Sequence, residues 1–477
     1  MANYKTTIGL EIHAELKTRT KMFCSCLNDS LEKDPNVNVC PICLSHPGVL
    51  PTINKQAIEE VIKLGLALNG EILNHSRFDR KSYFYPDLPK GYQISQYELP
   101  LAKGGELAGV QVRRIHLEED TARLLHDGNR SLVDFNRAGV PLMELVTEPV
   151  IDSADKALEF GKELQLILRY LDISDADMEK GQMRIEVNIS LALVDKKRLG
   201  TKVELKNINS FRAVKDAISH EINRQKEILD KGEIVIQETR GSVLGVTLPQ
   251  RTKEEAHDYR YLPEPDLPPM ELTTPEIINL EELRRSLPEL PEAKRERFKQ
   301  EFNLPEKQTD VLIGDRYLAE YFEEAVSEFL ALEKNDKGKS IQLVANYLTS
   351  DLVGLLKESG ARIQDTKATP ENFAELVVLI LKGDVSSRIA KDILREMATT
   401  GMDPNEIIKE KELTQISDES EIMGIVEKVI IENQDAVESY KKGKTNSLQF
   451  LAGQVMAEAK GRANPQVVQD LLKKILE

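Results

Sequence analysis

Residues 7–16 read Thr7-Ile8-Gly9-Leu10-Glu11-Ile12-His13-Ala14-Glu15-Leu16, and apolar and polar side chains alternate along them. Successive side chains of a strand point to opposite sides of a sheet, so Ile8, Leu10 and Ile12 share one face. Glu11 and His13 then share the other face. The segment therefore predicts a strand with one apolar face and one polar face.

The same alternation recurs in two later segments, residues 183–191 and 201–206. Their polar positions are Arg184, Glu186, Asn188, Lys202, Glu204 and Lys206. The loop 195–200 can join the two segments as a hairpin, which would place their charged faces side by side. The solvated face of any antiparallel sheet alternates in this way too, so the strands alone leave a plain surface and a functional site both open.

Carboxylates and histidine recur along these predicted strands. Glu11 and His13 are two residues apart, a spacing that allows both to reach one divalent cation. Further acids lie among apolar residues at 116–120 and 134–149. Burial of a carboxylate costs free energy unless a cation pairs with it, and an oxygen-rich ligand set with one histidine suits Mg²⁺ or Mn²⁺. Because Mg²⁺ commonly accompanies a phosphate substrate, the pattern favours a phosphate-handling site.

The four cysteines of the chain, Cys24, Cys26, Cys40 and Cys43, lie within 20 residues. The spacing C-x-C and C-x-x-C suits tetrahedral Zn²⁺, and four protein ligands leave no open position for water. Two disulfides or unlinked core thiols are the alternatives. A disulfide framework is typical of small secreted domains rather than of a long chain without a secretion signal. We therefore expect a structural zinc knuckle at residues 24–43.

The texture of the chain changes along its length. Residues 1–293 are rich in short alternating segments, and Pro263–Pro291 holds seven of the 21 prolines. Helical periodicity follows, which predicts an all-α domain at 294–407 and a compact all-α tail at 408–477. In the tail, Ser417 or Asp418 is expected to cap one helix and Pro465 to begin the last one. The predicted class is α+β, with an antiparallel-sheet domain followed by helices.

Composition sets further limits. The 477 residues include 64 Lys and Arg against 80 Asp and Glu, a formal charge of −16. No long apolar run and no signal-like start is present, so we expect a soluble cytoplasmic protein with no membrane partner. The acidic sum argues at first against a polyanionic partner. However, residues 440–477 carry seven basic and three acidic groups. This local excess can contact phosphates, although an ordinary solvated helix surface is equally compatible with it.

Common nucleotide-binding motifs do not fit. Two GK[ST] triplets begin at Gly338 and Gly443, but Glu333 and Glu438 stand where a P-loop needs its first glycine. If ATP is used, it is held on a sheet by metal and basic residues. Two loops dense in aromatic residues and proline, at 79–96 and 254–269, suit either a pocket that stacks a base or sugar or the packing of a stiff loop.

Several long motifs resemble those of the GatB/GatE family, the B subunits of tRNA-dependent aspartyl/glutamyl amidotransferases. They are Gly9–His13, Lys81–Gln96, Glu204–Phe211, His257–Tyr261 with Pro263–Leu267, Gln449–Met456 and Ala463–Gln466. The resemblance runs essentially from end to end. It implies a cradle of antiparallel sheet distantly similar to glutamine synthetase, then a helical domain and a YqeY-like tail that binds tRNA.

The reaction implied by the resemblance is ATP-dependent conversion of Glu-tRNA(Gln), or Asp-tRNA(Asn), to the amide. The side-chain carboxylate is first phosphorylated, and ammonia then displaces phosphate from the acyl phosphate. Ammonia would come from an amidase-type glutaminase, the A subunit of the family's assembly, with a small C subunit completing a heterotrimer. The enzyme class implied is a carbon–nitrogen ligase with glutamine as amido donor, acting in protein biosynthesis.

Site residues follow from the resemblance position by position. The Mg²⁺ ligands fall on His13, Glu119 and Glu144, with Glu11 beside them, and Lys81 matches a basic residue near the ammonia path. Strand alternation, rather than the resemblance, places Arg184, Glu186, Lys202, Glu204 and Lys206 along the lining of the cradle. The residues expected in the catalytic set are Glu11, Lys81, Arg184, Glu186 and Lys206. The family pattern at 181–188 has Asp where this chain has Glu186, so a metal or ammonia contact at that position is in doubt. The residues expected to bind tRNA are Lys441, Lys442, Lys444, Lys460, Arg462, Lys473 and Lys474.

Two alternatives stay open from sequence. One is a non-catalytic, zinc-stapled tRNA-binding adaptor, against which the buried-looking acid clusters argue. The other is the archaeal glutamate-specific relative (GatE), which carries a large inserted domain for which this chain has no room. Whether Glu-tRNA(Gln), Asp-tRNA(Asn) or both serve as substrate depends on the synthetases of the source cell.

Overall fold

The structure is a computed structural model that describes residues 3–195, 198–243, 245–252, 259–333, 339–411, 413, 419–444, 446–459, 462–463 and 465–476. The expected caps Ser417 and Asp418, and Lys460, lie outside these residues. Backbone contacts divide the chain into one unit up to Pro291 and a second from Glu292 onward. Within the described residues, no helix is both long and apolar enough to span a bilayer.

The first unit combines strands with four helices. Its strands are β1 (Tyr4–Glu15), β2 (Glu71–Ile72), β3 (His75–Ser76), β4 (Asp79–Ser82), β5 (Tyr92–Ser95), β6 (Ala102–Lys103), β7 (Glu106–Leu107), β8 (Val110–Glu119), β9 (Arg123–Asp127), β10 (Arg130–Asp134), β11 (Pro141–Thr147), β12 (Met183–Leu193), β13 (Val203–Lys206), β14 (Glu238–Val243), β15 (Val246–Thr252), β16 (Leu262–Pro263) and β17 (Met270–Glu271). Its helices are α1 (Lys55–Ala67), α2 (Ala154–Tyr170), α3 (Phe211–Asp230) and α4 (Leu280–Arg285).

One ten-stranded sheet organises this unit, in the order β15-β14-β13-β12-β1-β11-β8-β6-β2, with β7 paired to β8. The predicted hairpin of β12 and β13 is confirmed, since Val187 lies opposite Leu205 in an antiparallel register. The sheet is not wholly antiparallel as expected, because β13 and β14 run parallel. The helix α3 connects these two strands, and a crossover of this kind is what a parallel pair requires.

The two faces of the sheet differ as the alternation predicted. Ile8, Leu10 and Ile12 of β1 are buried in one apolar core with Phe160 of α2 and Val214 of α3. Each fully buried side chain of this size contributes about 1.5–3 kcal/mol to folding. This core holds the register of the strands, because a slip by one residue would turn every apolar side chain to the other face.

We call the opposite side of the sheet the polar face. Going by register, it carries Thr7, Gly9, Glu11, His13, Arg114, His116, Glu118, Glu144, Val146, Arg184, Glu186, Asn188, Ser190 and Glu204. These residues belong to five strands, so the side chains that sequence analysis found separately lie on one continuous surface.

The regular elements in the described part of the second unit are helices. The helices are α5 (Pro291–Phe302), α6 (Glu306–Ile313), α7 (Arg316–Leu332), α8 (Lys339–Asn346), α9 (Val353–Ser359), α10 (Pro370–Lys382), α11 (Ser387–Thr400), α12 (Pro404–Lys411), α13 (Glu419–Glu432), α14 (Gln434–Lys441), α15 (Asn446–Glu458) and α16 (Pro465–Leu476). A π-helical stretch, Tyr347–Leu352, joins α8 to α9, and a 3₁₀ turn follows at Ile363–Asp365.

The tail has a core of its own. Ile422, Val426, Leu451, Val468 and Leu472 are buried together. The last helix begins at Pro465 as predicted, because proline suits the first position of a helix. The expected boundary at 407/408 falls inside helix α12, which ends at Lys411.

Candidate functional site

Register brings the predicted polar residues into rows across the sheet. His13 lies opposite Glu144 of β11 on one side and opposite Arg184 of β12 on the other. Glu144 lies in turn opposite His116 of β8. In the next row, Glu11 lies between Val146 and Glu186. Residues more than 170 positions apart in the chain are therefore direct neighbours.

A cavity of about 690 Å³ opens above these rows. Its lining is almost entirely polar and includes Glu11, His13, Lys81, Tyr83, Tyr97, Arg114, His116, Glu118, Asp120, Glu144, Arg184, Glu186, Lys202, Glu204, Lys206, Tyr259 and Tyr261. All five residues expected in the catalytic set, and two of the three expected Mg²⁺ ligands, are among them.

The first ligand group of the cavity consists of His13, Glu118 and Glu144, whose ligand atoms all lie within 4.8 Å of one another. His13 Nε2 is 3.3 Å from Glu144 Oε2 and 3.6 Å from Glu118 Oε1. His116 Nε2 approaches the same Glu144 oxygen at 3.3 Å. Imidazole and carboxylate are suitable donors for a hard divalent cation, so the group fits one.

The electrostatics of this group are strongly coupled. Burial alone lowers the pKa of His13, but the hydrogen bond and charge of Glu144, together with Glu118, outweigh it and raise the pKa to about 9. Burial likewise raises the pKa of Glu144, yet His116 and His13 hold that pKa well below its usual range. A positive charge among these carboxylates is thus strongly favoured, whether a proton or a metal ion supplies it.

The structure does not bring Glu119 to this group. Its carboxylate lies 2.6 Å from Lys90 Nζ and accepts a hydrogen bond from the backbone N–H of Ile94. Neighbouring residues of a strand point to opposite faces, so Glu118 reaches the cavity and Glu119 cannot. The alternation Arg114, His116, Glu118 along β8 was the sequence signal that would have identified Glu118 and His116.

A second group contains carboxylates only: Glu11, Glu186 and Glu204, again with ligand atoms within 4.8 Å. Lys206 Nζ lies 2.8 Å from Glu186 Oε2 and 4.0 Å from Glu204 Oε1. Burial lowers the pKa of Lys206, but Glu186 and Glu204 outweigh it and raise that pKa above its ordinary value. Glu186 therefore reaches the site despite the extra methylene.

Glu204 is held in place by a residue that the sequence analysis did not single out. Thr239 Oγ1 of β14 donates a 2.7 Å hydrogen bond to Glu204 Oε2, and both groups are buried. The parallel pairing of β13 with β14 places Glu204 directly opposite Thr239. No local pattern in the sequence signals a contact that depends on this pairing.

Arg184 lines the cavity, and the carboxylate of Asp120 holds its guanidinium in place. Its guanidinium donates to both carboxylate oxygens of Asp120, at 3.0 and 2.9 Å. Arg137 donates to the same carboxylate at 2.6 Å. Burial raises the pKa of Asp120, but the two arginines outweigh it and lower that pKa below its ordinary value. A guanidinium held in this way can contact an anion with little further loss of conformational entropy.

Lys81 lies among aromatic rings at another wall of the cavity. Its Nζ is 5.0 Å from the centre of the Tyr259 ring, and Tyr83 packs edge-on against Tyr259. Burial lowers the pKa of Lys81, but Glu118, with Tyr261, Glu144 and Tyr83, outweighs it and raises that pKa above its ordinary value. The two aromatic loops thus supply the tyrosines of the wall, although His257 and Asp258 lie outside the described residues.

The four cysteines form a third ligand group, with their Sγ atoms within 4.8 Å of one another. All four are free thiols, so the disulfide alternative is not what the structure has. The pKa of Cys43 is lowered to about 5, first by a hydrogen bond from Cys24 and further by Lys21, whose Nζ lies 3.9 Å from the sulfur. Four sulfur ligands in this arrangement could hold a zinc ion.

The basic residues of the tail are at its surface. Lys441 ends α14 and is exposed, as are Lys442 and Lys444 just after it. Lys473 and Lys474 are exposed in the last turn of α16, and Arg462 is half-buried. Lys442 pairs with Glu438 at 3.1 Å. The exposed lysines have their ammonium groups within reach of solvent, whereas the Nε of Arg462 is buried.

Comparisons with known proteins match this architecture along its length. A family profile described as the GatB/GatE catalytic domain matches residues 6–278, and one described as a GatB domain matches residues 321–476. The chain is 47% identical to the B subunit of the aspartyl/glutamyl-tRNA(Asn/Gln) amidotransferase of Caldanaerobacter subterraneus, over 99% of each chain. The B subunits of the same name from Persephonella marina and Thermoanaerobacter pseudethanolicus are 48% and 46% identical, over at least 99% of both chains. The resemblance found in the sequence motifs is confirmed, and the chain belongs to the GatB/GatE family.

Proposed function

We propose that this chain is the subunit that transamidates misacylated Glu-tRNA(Gln), Asp-tRNA(Asn) or both, using ATP and ammonia. The observation that carries this proposal is the polar cavity. Two ligand groups surround its space, one with His13, Glu118 and Glu144 and one with Glu11, Glu186 and Glu204, together with three fixed cations, Lys81, Arg184 and Lys206. A reaction that joins a carboxylate, a triphosphate and ammonia needs such alternating charges.

The two chemical steps explain why ATP must act on the carboxylate before ammonia can. A carboxylate oxygen of the aminoacyl side chain attacks the terminal phosphorus of ATP, and the bond to ADP breaks. Ammonia then attacks the carbonyl carbon of the acyl phosphate, the bond to phosphate breaks, and ammonia loses a proton. Phosphate leaves readily from carbon, whereas oxide does not, so the first step makes the second feasible.

The His13, Glu118 and Glu144 group is proposed to hold Mg²⁺, with Glu118 in the place that sequence analysis gave to Glu119. The donor set fits, since it combines carboxylate oxygens and an imidazole within reach of one ion. When bound, Mg²⁺ neutralises charge on phosphate oxygens and orients them. Glu11, Glu186 and Glu204 form a second candidate position beside it.

The chain's own cations have separate roles in this proposal. Arg184, held by Asp120, contacts the transferring phosphoryl group. Lys206 offsets the charge of Glu186 and Glu204 when no metal is present. Lys81, kept protonated beside Glu118, repels ammonium and orients the substrate carboxylate near the tyrosine wall.

The remaining parts of the chain and its partners are proposed to stabilise the fold, supply ammonia and bind tRNA. A structural Zn²⁺ in the four-cysteine loop would cross-link residues 24–43. An amidase-type glutaminase partner would supply ammonia, and a small third partner would complete the heterotrimer. The sheet unit is proposed to be a glutamine-synthetase-like cradle and the tail a YqeY-like domain, whose Lys441, Lys442, Lys444, Arg462, Lys473 and Lys474 contact tRNA phosphates.

The test is reconstitution with the amidase-type and small partners, Glu-tRNA(Gln), ATP and ammonium chloride. We expect His13→Ala to lower amide formation at least a hundredfold, because the first ligand group loses its imidazole ligand. His75→Ala is the matched control, since His75 is exposed and does not line the cavity. Free ammonium bypasses the glutaminase, so the loss would be specific to the chain described here.

Unchanged amide formation in His13→Ala with intact tRNA binding would favour the alternative, a non-catalytic tRNA-binding adaptor. If His13→Ala loses both ATP consumption and amide formation, the result supports the proposal, because phosphorylation precedes ammonia attack.

A further inference from the structure

Two separate sheets meet beside the first ligand group. The strands β4, β5 and β16 form a small three-stranded sheet, whereas β8 belongs to the ten-stranded sheet. Lys81 of β4 lies opposite Gln93 of β5, and Glu118 lies on β8. Lys81 and Glu118 both line the cavity, so the junction of β5 with β8 sets the position of two cavity walls relative to each other.

Buried hydrogen bonds join β5 and the residues next to it to β8. Gln93 Nε2 donates to the carbonyl oxygen of Glu119 at 2.7 Å. The backbone N–H of Leu117 donates in turn to Gln96 Oε1 at 3.0 Å. A buried polar group that loses its partner costs more than an exposed one, so these contacts hold the backbone of β8 firmly. They fix it on both sides of Glu118.

Ser95, the last residue of β5, contacts the Glu118 side chain itself. Its Oγ donates a 3.2 Å hydrogen bond to Glu118 Oε2, and the two residues are 1% and 3% exposed. The other carboxylate oxygen, Oε1, lies 3.6 Å from His13 Nε2. Among the described residues, those that line the cavity include Glu118 but not Ser95. Any effect of Ser95 on the cavity must therefore pass through Glu118.

We propose that Ser95 is a positioning residue that orients the Glu118 carboxylate for a divalent cation. The inference rests on the proposed Mg²⁺ site at His13, Glu118 and Glu144. The hydroxyl holds one carboxylate oxygen on the protein side, and the other oxygen then lies toward the ligand group. Loss of a partner that orients a metal ligand typically weakens metal affinity about 10–100-fold.

The test uses the assembly reconstituted with the amidase-type and small partners. Amide formation from Glu-tRNA(Gln), ammonium chloride and a fixed concentration of ATP is measured against MgCl₂ concentration for Ser95→Ala. We expect the Mg²⁺ concentration at half-maximal rate to rise about tenfold, while the rate at saturating Mg²⁺ stays within about threefold of that of the unmodified assembly. Binding of MnCl₂ alone, followed by the electron paramagnetic resonance signal of the free ion, should weaken about tenfold as well.

Ser174→Ala is the matched control. Ser174 is also 1% exposed, but its hydroxyl donates to the backbone oxygen of Glu15, and it is not among the residues that line the cavity. A double variant then tests the route of the effect. Ser95→Ala should lower amide formation little further when Glu118→Gln is already present, because both changes act on one ligand. A full additional tenfold loss would contradict the inference.

A purely structural role for Ser95 predicts a different result. An unchanged Mg²⁺ dependence in Ser95→Ala, or a loss of rate that saturating Mg²⁺ does not restore, would identify Ser95 as a link between the two sheets only. Either outcome would overturn the inference while the proposed function stands. Amide formation by the unmodified assembly without any divalent cation would instead overturn the proposed Mg²⁺ site, and this inference with it.

Discussion

The four-cysteine loop and the His13, Glu118 and Glu144 group both bring ligand atoms within 4.8 Å of one another, but by opposite means. The cysteines come from 20 consecutive residues, are soft ligands and provide four sulfurs, the number that tetrahedral Zn²⁺ takes. The other group comes from three strands spread over more than 100 residues and opens onto a cavity. A closed local set suits a structural ion, whereas an open set on a rigid sheet suits an ion that shares its ligands with substrate.

Removal of a cysteine should give the largest effect and should act on stability. Cys43→Ser is expected to abolish zinc binding and lower the free energy of unfolding by about 4 kcal/mol, because the bound ion stabilises only the folded loop. Metal content and urea unfolding measure the two quantities. Ser25→Ala, an exposed neighbour in the same loop, is the control. Equal free energies of unfolding in Cys43→Ser and the control would show that the stability of the loop does not depend on a metal ion.

Substitution of the two adjacent glutamates of β8 should distinguish an effect on amide formation from an effect on the stability of the fold. Glu118→Gln should lower ammonium-dependent amide formation about a hundredfold, because it removes a charged ligand from the cavity. Glu119→Gln should keep amide formation within about threefold yet destabilise the fold by about 1–3 kcal/mol, since Lys90 then lacks its partner. The reverse pattern in the reconstituted assay would restore Glu119 as the ligand.

Metal binding at the first group should depend on pH. The pKa of His13 is raised to about 9, so the imidazole is protonated at pH 7 and must lose its proton to bind Mg²⁺. Affinity should therefore rise about tenfold per pH unit between about pH 7 and 9, then level off. Calorimetry in two buffers of different ionisation enthalpy measures the released proton. His13→Gln should flatten this slope, and a slope that survives the substitution would assign the proton elsewhere.

The smallest effect concerns a buried carboxylate. Glu60 of α1 is buried, and desolvation raises its pKa to about 7 despite a hydrogen bond from Gln56. The unfolded chain loses this proton near pH 4.5, so stability is lost as pH rises from there to about 7. Glu60→Gln should therefore stabilise the protein by about 1–2 kcal/mol at about pH 8 and not at about pH 4. Thermal unfolding at both pH values checks the sign, and Glu59→Gln on the same helix is the control.

Local patterns predicted much of this molecule. The alternation of residues 7–16 identified β1 and its polar face, and the spacing of the cysteines identified the third ligand group. The alternation along β8 also predicts that Glu118, and not Glu119, lies on the polar face, but the expected ligand set came from the resemblance alone. The expected boundary at 407/408 lies inside helix α12, because the Asp403-Pro404 turn begins that helix.

The sequence by itself determined which face of each strand is polar and which loop can hold a soft metal, because side-chain period and ligand spacing are local properties. Only the tertiary structure decided that β1 lies between β11 and β12, that β14 runs parallel to β13, and that Ser95 of β5 contacts Glu118 of β8. Those relations join segments distant in the chain, and their pairing is selected by the burial of one shared core rather than by any short stretch of residues.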